Sequence, residues 1–321
     1  MHHTPQAMNY RIIRYDPSLR GEWDRFVAAS RNGTFLFMRD YMDYHSDRFS
    51  DCSWMAYKET RLMALLPANI TLGGVLCSHG GLTYGGWVLP VSHLDGAGLL
   101  EIFGAACDSW RTEGIKALDY RPVPYIYCSR PSQEDEYALF RLGGRLYECN
   151  LSATIDLRRP VSLNKQQRRH LAGTAKLPLS IGEMSDIAPF MEMLGDCLRE
   201  RHDTKPVHTV GEMRLLADRF PDNIRFFATW LDGEPHAAVC VYDTGMTAHA
   251  QYIATTPRGR ELNLLTPLFH WLITERYSSR DYFDFGISNE DHGRYLNAGL
   301  LRQKYSYGAT GTVYTRYRLE L

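Results

Sequence analysis

Near the carboxyl end of the sequence stand Phe283-Asp284-Phe285-Gly286 and then Asn297-Ala298-Gly299-Leu300-Leu301-Arg302-Gln303-Lys304-Tyr305-Ser306-Tyr307-Gly308. Aromatic residues alternate with Asp284, and this period of two predicts a strand over 282–287 in which the carboxylate faces away from both phenylalanines. A helix is predicted over 297–304 and a last strand over 311–319. The stretch therefore predicts strand, helix and strand, with an acidic side chain near the end of the first strand.

The segments upstream of this stretch alternate in a definite order. Helices are predicted over 186–201 and 210–219, a hairpin over 224–242, a strand over 247–254 and a helix over 262–276. The turn of the hairpin contains Asp232-Gly233, a strong turn signal. The first half repeats the order: helix 22–29, hairpin 53–70, strand 75–89, helix 99–113, strand 117–121, helix 134–142 and strand 147–157. Glycines at 80, 81, 85 and 86 interrupt the strand predicted over 75–89.

This order excludes a Rossmann fold, in which strands and helices alternate from the start. It predicts an α/β (α+β) protein with two tandem domains, 1–157 and 158–321, each built on a mixed central sheet flanked by helices. The central strands of each sheet are expected to splay apart and admit a ligand. Matching elements lie about 150 residues apart, the usual size of one such domain.

Composition limits the class of protein. The 321 residues are 44% hydrophobic and 23% charged with a net charge of -1, which argues against long disorder and against a global basic field for nucleic acid. Seven scattered cysteines without a CxxC pair predict free thiols, no metal site and a cytoplasmic protein. No apolar run approaches the ~20 residues of a membrane helix, so no integral membrane association is expected.

The stretch at 283–286, together with Lys304-Tyr305-Ser306-Tyr307-Gly308, resembles the end of GNAT-superfamily acyltransferases, and it is most similar to the tandem-domain branch related to Fem-type peptidyltransferases. Two further patches carry the resemblance: 162–170 with its Arg168-Arg169 pair, and 23–37. The resemblance implies two GNAT-like domains, the first degenerate and the second carrying the active site. It also implies attack of an amine on an activated acyl carbon in a ternary complex, without a covalent enzyme intermediate.

Acyl-CoA, with acetyl-CoA as the simplest case, is the implied co-substrate. In the family, a glycine-rich loop and the following helix start bind its pyrophosphate. The corresponding positions are Arg258, Gly259, Arg260 and Asn263, with Asn297 as a further contact or a simple helix cap. The loop keeps one glycine and has Glu261 where phosphate is expected, and the loop at 89–98 in the first half has no lysine or arginine.

Four residues are candidates for the chemistry. Lys304 stands where Fem-type enzymes have lysine and is expected to stabilise an oxyanion or bind a phosphate, against the alternative of a solvated lysine. Asp284 is expected to orient the amine or act as a base, against the alternative of a structural partner for an arginine. His249 and Tyr252, on the neighbouring strand, are candidates to relay a proton, although satisfied core positions would explain both. A backbone N–H of the same strand is implied as the donor to the acyl carbonyl.

Arg168, Arg169 and Ser288 are candidates to bind the acceptor, either a small molecule or a cell-wall precursor carrying an amine. Three functions follow. The first is an N-acyltransferase that uses acyl-CoA. The second is a Fem-type ligase that uses aminoacyl-tRNA. The third is a non-catalytic protein that binds a ligand or partner. The loop at 257–263, with its single glycine and its acidic Glu261, favours this third function.

Overall fold

The computed structural model describes residues 10–202, 204 and 206–321. Their contacts form two compact units: the first extends to Asn150 and also contains Val313–Leu321, and the second is Leu151–Thr312. The bounds of these units differ from 1–157 and 158–321, and the tandem-domain boundaries stay a prediction. Within the described ranges, no helix combines the length and the apolar character that a bilayer crossing requires.

The first unit contains strands and helices at these positions: β1 (Arg11–Arg14), α1 (Arg20–Ala28), α2 (Arg39–Met42), β2 (Trp54–Lys58), β3 (Arg61–Leu66), β4 (Asn69–Ile70), β5 (Val75–Cys77), α3 (Gly96–Thr112), β6 (Ala117–Tyr120), α4 (Glu134–Leu142) and the start of β7 (Arg145–Asp156). Short 3-10 turns lie at Pro17–Leu19, Phe35–Phe37, Asp43–His45 and Tyr125–Tyr127.

The second unit contains the end of β7 and continues with α5 (Lys165–Thr174), β8 (Leu179–Glu183), α6 (Ala188–His202), α7 (Val210–Arg219), β9 (Ile224–Leu231), β10 (Glu234–Asp243), β11 (Thr247–Thr255), α8 (Pro257–Glu261), α9 (Leu265–Trp271), β12 (Tyr282–Ile287), β13 (Asn289–Glu290), β14 (Tyr295–Leu296), α10 (Ala298–Tyr305) and the start of β15 (Thr310–Glu320), as far as Thr312. A wide π-type turn at Leu272–Arg276 extends α9.

In the first unit, β1, β2 and β3 form an antiparallel sheet, and β5 pairs in parallel with β6. Buried tryptophans and α3 fill the space between them, as the amphipathic pattern of 99–113 predicts. The strand predicted over 75–89 is wrong beyond Cys77. A side chain at Gly85 would overlap the carbonyl of Ser78, because the backbone turns back on itself there and the glycine permits that close approach.

In the second unit the strand order is β7-β12-β11-β10-β9-β8. The pair β11–β12 is parallel and its neighbours are antiparallel, so the sheet is mixed, as predicted. Phenylalanines at 227, 269, 283 and 285 pack between the sheet and α9. The helix α7 begins with a capping box, in which Thr209 and Glu212 satisfy each other's backbone N–H groups.

The two halves of the chain exchange parts of their last strands. The end of β7 lies in the second unit, and the end of β15 lies in the first unit. After Asn150, β7 pairs with β12, from Ser152 opposite Ile287 to Asp156 opposite Tyr282. The end of β15 pairs with β6 of the first unit, from Tyr317 to Glu320. The first unit is therefore built from two separate parts of the chain.

Candidate active site

The strands β11 and β12 separate in the middle of the second unit. They pair from Thr247 opposite Tyr282 to His249 opposite Asp284, and the ladder between them ends there although both strands continue. In the ladder between β10 and β11, Cys240 lies opposite Tyr252 and Val241 lies opposite Ala250. Gln251 is therefore left without an opposite residue and forms a β-bulge. The splayed sheet predicted from the sequence is present in this unit.

A cavity of about 660 Å³ lies at this separation, within the second unit. This volume is in the range of small-molecule binding sites. The predicted residues Tyr252, Gly259, Arg260, Asn263 and Lys304 are all part of its wall. Leucines of α6, Phe269 and Phe285 supply much of the apolar wall, and α5 contributes Gln166, Gln167 and His170.

Asp284 is fully buried beside this cavity, and both of its carboxylate oxygens are hydrogen-bonded. Ser152 Oγ donates to Oδ1 at 2.6 Å, Thr154 Oγ1 donates to the same oxygen at 2.8 Å, and Oδ2 lies 2.8 Å from His249 Nδ1. Burial alone would raise the pKa of Asp284, but the bond and charge of His249 and the two hydroxyls outweigh it and lower that pKa. An ionised Asp284 places the proton of His249 on Nδ1, which makes Nε2 the basic nitrogen.

Lys304 lies on α10 with only 6% of its surface exposed. Its Nζ donates to the carbonyl oxygens of Gly286 at 2.8 Å and Ile287 at 2.6 Å, directly after the point where β12 leaves β11. Burial lowers the pKa of Lys304 to about 8, and the charge of Asp284 partly opposes this effect. The side chain is therefore a desolvated cation held against the carboxyl end of β12.

Two other predicted residues sit near this centre. The hydroxyl of Tyr252 lies 2.6 Å from His208 Nδ1. Ser288 is buried, and its Oγ meets no hydrogen-bond partner among the described residues. The contact between Tyr252 and His208 was not predictable from the strand pattern alone.

Both arginines of the loop at 257–263 form ion pairs within the protein. Arg258 forms an exposed ion pair with Asp232 at 3.0 Å. Arg260 forms an ion pair with Glu200 at 2.9 Å and also donates to the carbonyl of Thr255. Both guanidinium groups face carboxylates, so this loop offers an anion less net positive charge than its sequence indicates.

Close packing explains why a glycine stands at position 259. Its N–H donates to Thr256 Oγ1 at 3.0 Å, and a Cβ at this position would overlap the carbonyl oxygen of His236. The glycine is therefore needed for the close approach of α8 to β10. Asn263 has a positive φ of 58° at the end of the loop. Binding of a donor by this loop stays a prediction.

Asn297, Arg168 and Arg169 lie outside the cavity wall, as do Asp284, His249, Arg258 and Ser288. Asn297 caps α10 by accepting the N–H of Leu300 at 3.0 Å. Arg168 and Arg169 are exposed on α5, and Arg168 donates to the carbonyl of Leu163. The roles predicted for these three residues are not tested by their positions.

The first unit has a counterpart of this centre that is closed. Cys77 of β5 lies opposite Asp119 of β6, in the same parallel arrangement as His249 and Asp284. Arg316 binds both oxygens of Asp119, at 2.8 and 2.7 Å. The chain beyond Cys77 stays bonded, because Gly85 N–H donates to the carbonyl of Arg121. An ion pair and a folded-back loop thus occupy the place where the second unit has a cavity.

Comparison with known proteins agrees with this geometry. Residues 163–294 match the model of the acetyltransferase (GNAT) domain. This match lies within the second unit and includes both strands that separate, β11 and β12. Over its whole length the protein has the fold of FemX, at a TM-score of 0.70 and 11% identity, with 97% of each chain covered.

Two other solved structures share the fold. L-PGS from Bacillus licheniformis has a TM-score of 0.59 at 12% identity, with 95% of this chain and 92% of that chain covered. A tandem GNAT protein from the clavulanic acid biosynthesis pathway, solved without AcCoA, has a TM-score of 0.52 at 13% identity, with 97% and 98% covered. At these identities the likeness is one of fold. No curated protein matches the sequence.

Proposed function

We propose that the protein is a cytoplasmic N-acyltransferase that moves an acyl group from acyl-CoA to an amine in a ternary complex. The observation that carries this proposal is the separation of β11 and β12 into a cavity, beside the buried Asp284–His249 pair and Lys304. The GNAT domain match supports acyl transfer in general. Seven free cysteines support a reducing compartment.

In this proposal the acyl carbonyl lies along β11 beyond His249, where backbone N–H groups no longer pair with β12. Lys304 donates two N–H groups to carbonyls of β12, and its third meets no partner among the described residues. This third N–H is the proposed donor to the oxyanion that develops when the amine attacks. A preformed, desolvated cation is effective there because it needs no reorganisation during the reaction.

Proton transfer is assigned to two side chains. The amine nitrogen bonds to the acyl carbon, its proton passes to His249 Nε2 directly or through a water, and the carbon–sulfur bond breaks. Asp284 holds the other imidazole nitrogen and stabilises the imidazolium that forms. The hydroxyl of Tyr252 is the proposed proton source for the departing thiolate. The residues 258–260, Asn263 and Asn297 are the proposed contacts of CoA, and Arg168, Arg169 and Ser288 those of the acceptor.

A Fem-type ligase that uses aminoacyl-tRNA and a cell-wall precursor is the second candidate. Two observations favour it: Lys304 is buried at the centre, and the fold matches FemX over 97% of both chains. In addition, the arginines of the loop at 257–263 are paired with carboxylates, which weakens the case for a CoA phosphate site there.

The test compares Asp284→Asn with Asp119→Asn, the matched change at the counterpart position of the first unit. Release of free CoA from acetyl-CoA is measured against a panel of primary amines. Asp284→Asn should lower the rate at least ~100-fold, because the asparagine amide no longer holds the His249 tautomer that can accept a proton. Asp119→Asn should leave the rate within about twofold of wild type.

Thermal unfolding separates donor binding from chemistry. Acetyl-CoA at ~100 times its dissociation constant should stabilise wild type and Asp284→Asn alike, by roughly 2.7 kcal/mol. Equal rates for the two variants would refute the assignment of the site. No stabilisation by acetyl-CoA or CoA would refute the thioester donor, and binding of an aminoacyl-tRNA would then identify the second candidate.

A further inference from the structure

Gln251 holds a special position on β11. Opposite β10, the register passes from Cys240–Tyr252 to Val241–Ala250, which leaves Gln251 as the extra residue of a bulge. Bulges re-aim side chains, and they are frequent next to active sites. Gln251 is one of the residues that line the cavity, two residues beyond His249.

The carboxamide oxygen of Gln251 is buried without a hydrogen-bond donor among the described residues. By contrast, the side chain of Gln167, a second glutamine in the same cavity wall, is hydrogen-bonded through both its oxygen and its nitrogen. Gln167 donates to Ser306 Oγ at 2.8 Å and accepts from Thr266 Oγ1 at 2.7 Å. Since buried polar atoms are nearly always satisfied, the acceptor on Gln251 indicates a partner that enters with the ligand.

We propose that Gln251 Oε1 accepts an N–H of the attacking amine and so selects primary amines as acceptors. This inference rests on the proposed acyl transfer. At the reacting centre, neither the carbonyl oxygen nor the sulfur of the thioester carries a hydrogen that Gln251 can accept, whereas the amine does. The amide N–H groups of the pantetheine arm begin two carbons beyond the sulfur, away from this centre. A primary amine has two N–H groups: one bonds to Gln251, the other points to His249, and the lone pair faces the acyl carbon. A secondary amine has a single N–H and cannot satisfy both residues.

Gln251→Leu removes the acceptor at nearly constant volume, and Gln251→Glu keeps an acceptor at the same place. For the best primary amine of the panel, Gln251→Leu should lower kcat/KM about 10- to 100-fold, because a buried hydrogen bond at the reacting group is lost. Slow hydrolysis of acetyl-CoA without amine should change less than about twofold. Gln251→Glu should recover most of the loss.

The ratio of rates for that amine and its N-methyl derivative is the decisive readout. Wild type should favour the primary amine at least ~10-fold, and Gln251→Leu should bring the ratio close to one. Gln303→Leu, the same change elsewhere in the cavity wall, should keep the wild-type ratio. If Gln251→Leu lowers aminolysis and hydrolysis equally, or keeps the wild-type ratio, the inference is overturned.

Failure of the proposed reaction has a different signature. If wild type releases no CoA with any amine, acyl transfer from CoA is refuted, and amine recognition is tested by saturation-transfer NMR. Binding of 2,2,2-trifluoroethylamine at pH 8, where it is neutral, in preference to its N-methyl derivative by wild type, lost in Gln251→Leu, would support the amine subsite. Equal binding of the two amines by wild type would overturn it.

Discussion

Replacing Lys304 with methionine removes a buried ammonium group and keeps an unbranched side chain of similar length. In the folded protein, burial lowers the pKa of Lys304 to about 8 from the ordinary 10.5. Between these two values the unfolded chain holds a proton that the folded protein has released. The free energy of unfolding of wild type should therefore rise with pH in this window.

The size of the rise follows from the two pKa values. Each unit of separation is worth about 1.36 kcal/mol, and titration around a pKa of 8 gives a gain of about 1.3 kcal/mol between pH 7 and pH 9. Lys304→Met lacks the titrating group. The difference in unfolding free energy, wild type minus variant, should therefore increase by this amount across the same interval.

Urea unfolding followed by far-UV circular dichroism at pH 7, 8 and 9 measures this difference. Lys176→Met is the matched control, because Lys176 is exposed in the same unit and its removal should leave the pH dependence unchanged. A constant difference between wild type and Lys304→Met over these pH values would refute the desolvated ammonium. An equal rise with Lys176→Met would refute its assignment to Lys304.

Three further outcomes are expected. Burial and the charge of His45 lower the pKa of His79 to about 3. The free energy of unfolding should therefore fall by up to ~1.4 kcal/mol per pH unit below pH 6.5. His79→Leu should flatten this dependence in urea titrations between pH 6.5 and 4.5. Lys165→Glu should stabilise the protein by about 0.5–1 kcal/mol, since an acid then replaces a cation in the first turn of α5 and faces two arginines; a lower thermal midpoint would contradict this. Gly259→Ala should destabilise by roughly 1–3 kcal/mol through overlap with the carbonyl of His236, and an unchanged midpoint would remove the packing role.

Periodicity and resemblance were sufficient for much of the second unit. The strand Tyr282–Ile287 and the helix Val210–Arg219 have the bounds predicted from the sequence. Alternation along the strand also placed Asp284 opposite to its phenylalanine neighbours. These features depend on residues close together in the chain, which a sequence pattern can represent.

Contacts between distant residues were not predictable in the same way. Ser152 donates to Asp284 across 132 positions, and Glu200 neutralises Arg260 across 60. A basic loop with one glycine indicates a phosphate site until its partners are known. The bulge at Gln251 likewise depends on the register with β10, and no residue type in the sequence marks it.

The exchange of last strands has a consequence for how the chain matures on the ribosome. Residues 313–321 are synthesised after the whole of the second unit, yet β6 of the first unit needs them as its neighbour. The first unit must therefore wait, with one side of β6 uncovered, until these residues emerge. A chain that ends at Thr312 would lack the β15 residues that pair with β6 in the first unit. The uncovered edge of β6 could then pair with other chains.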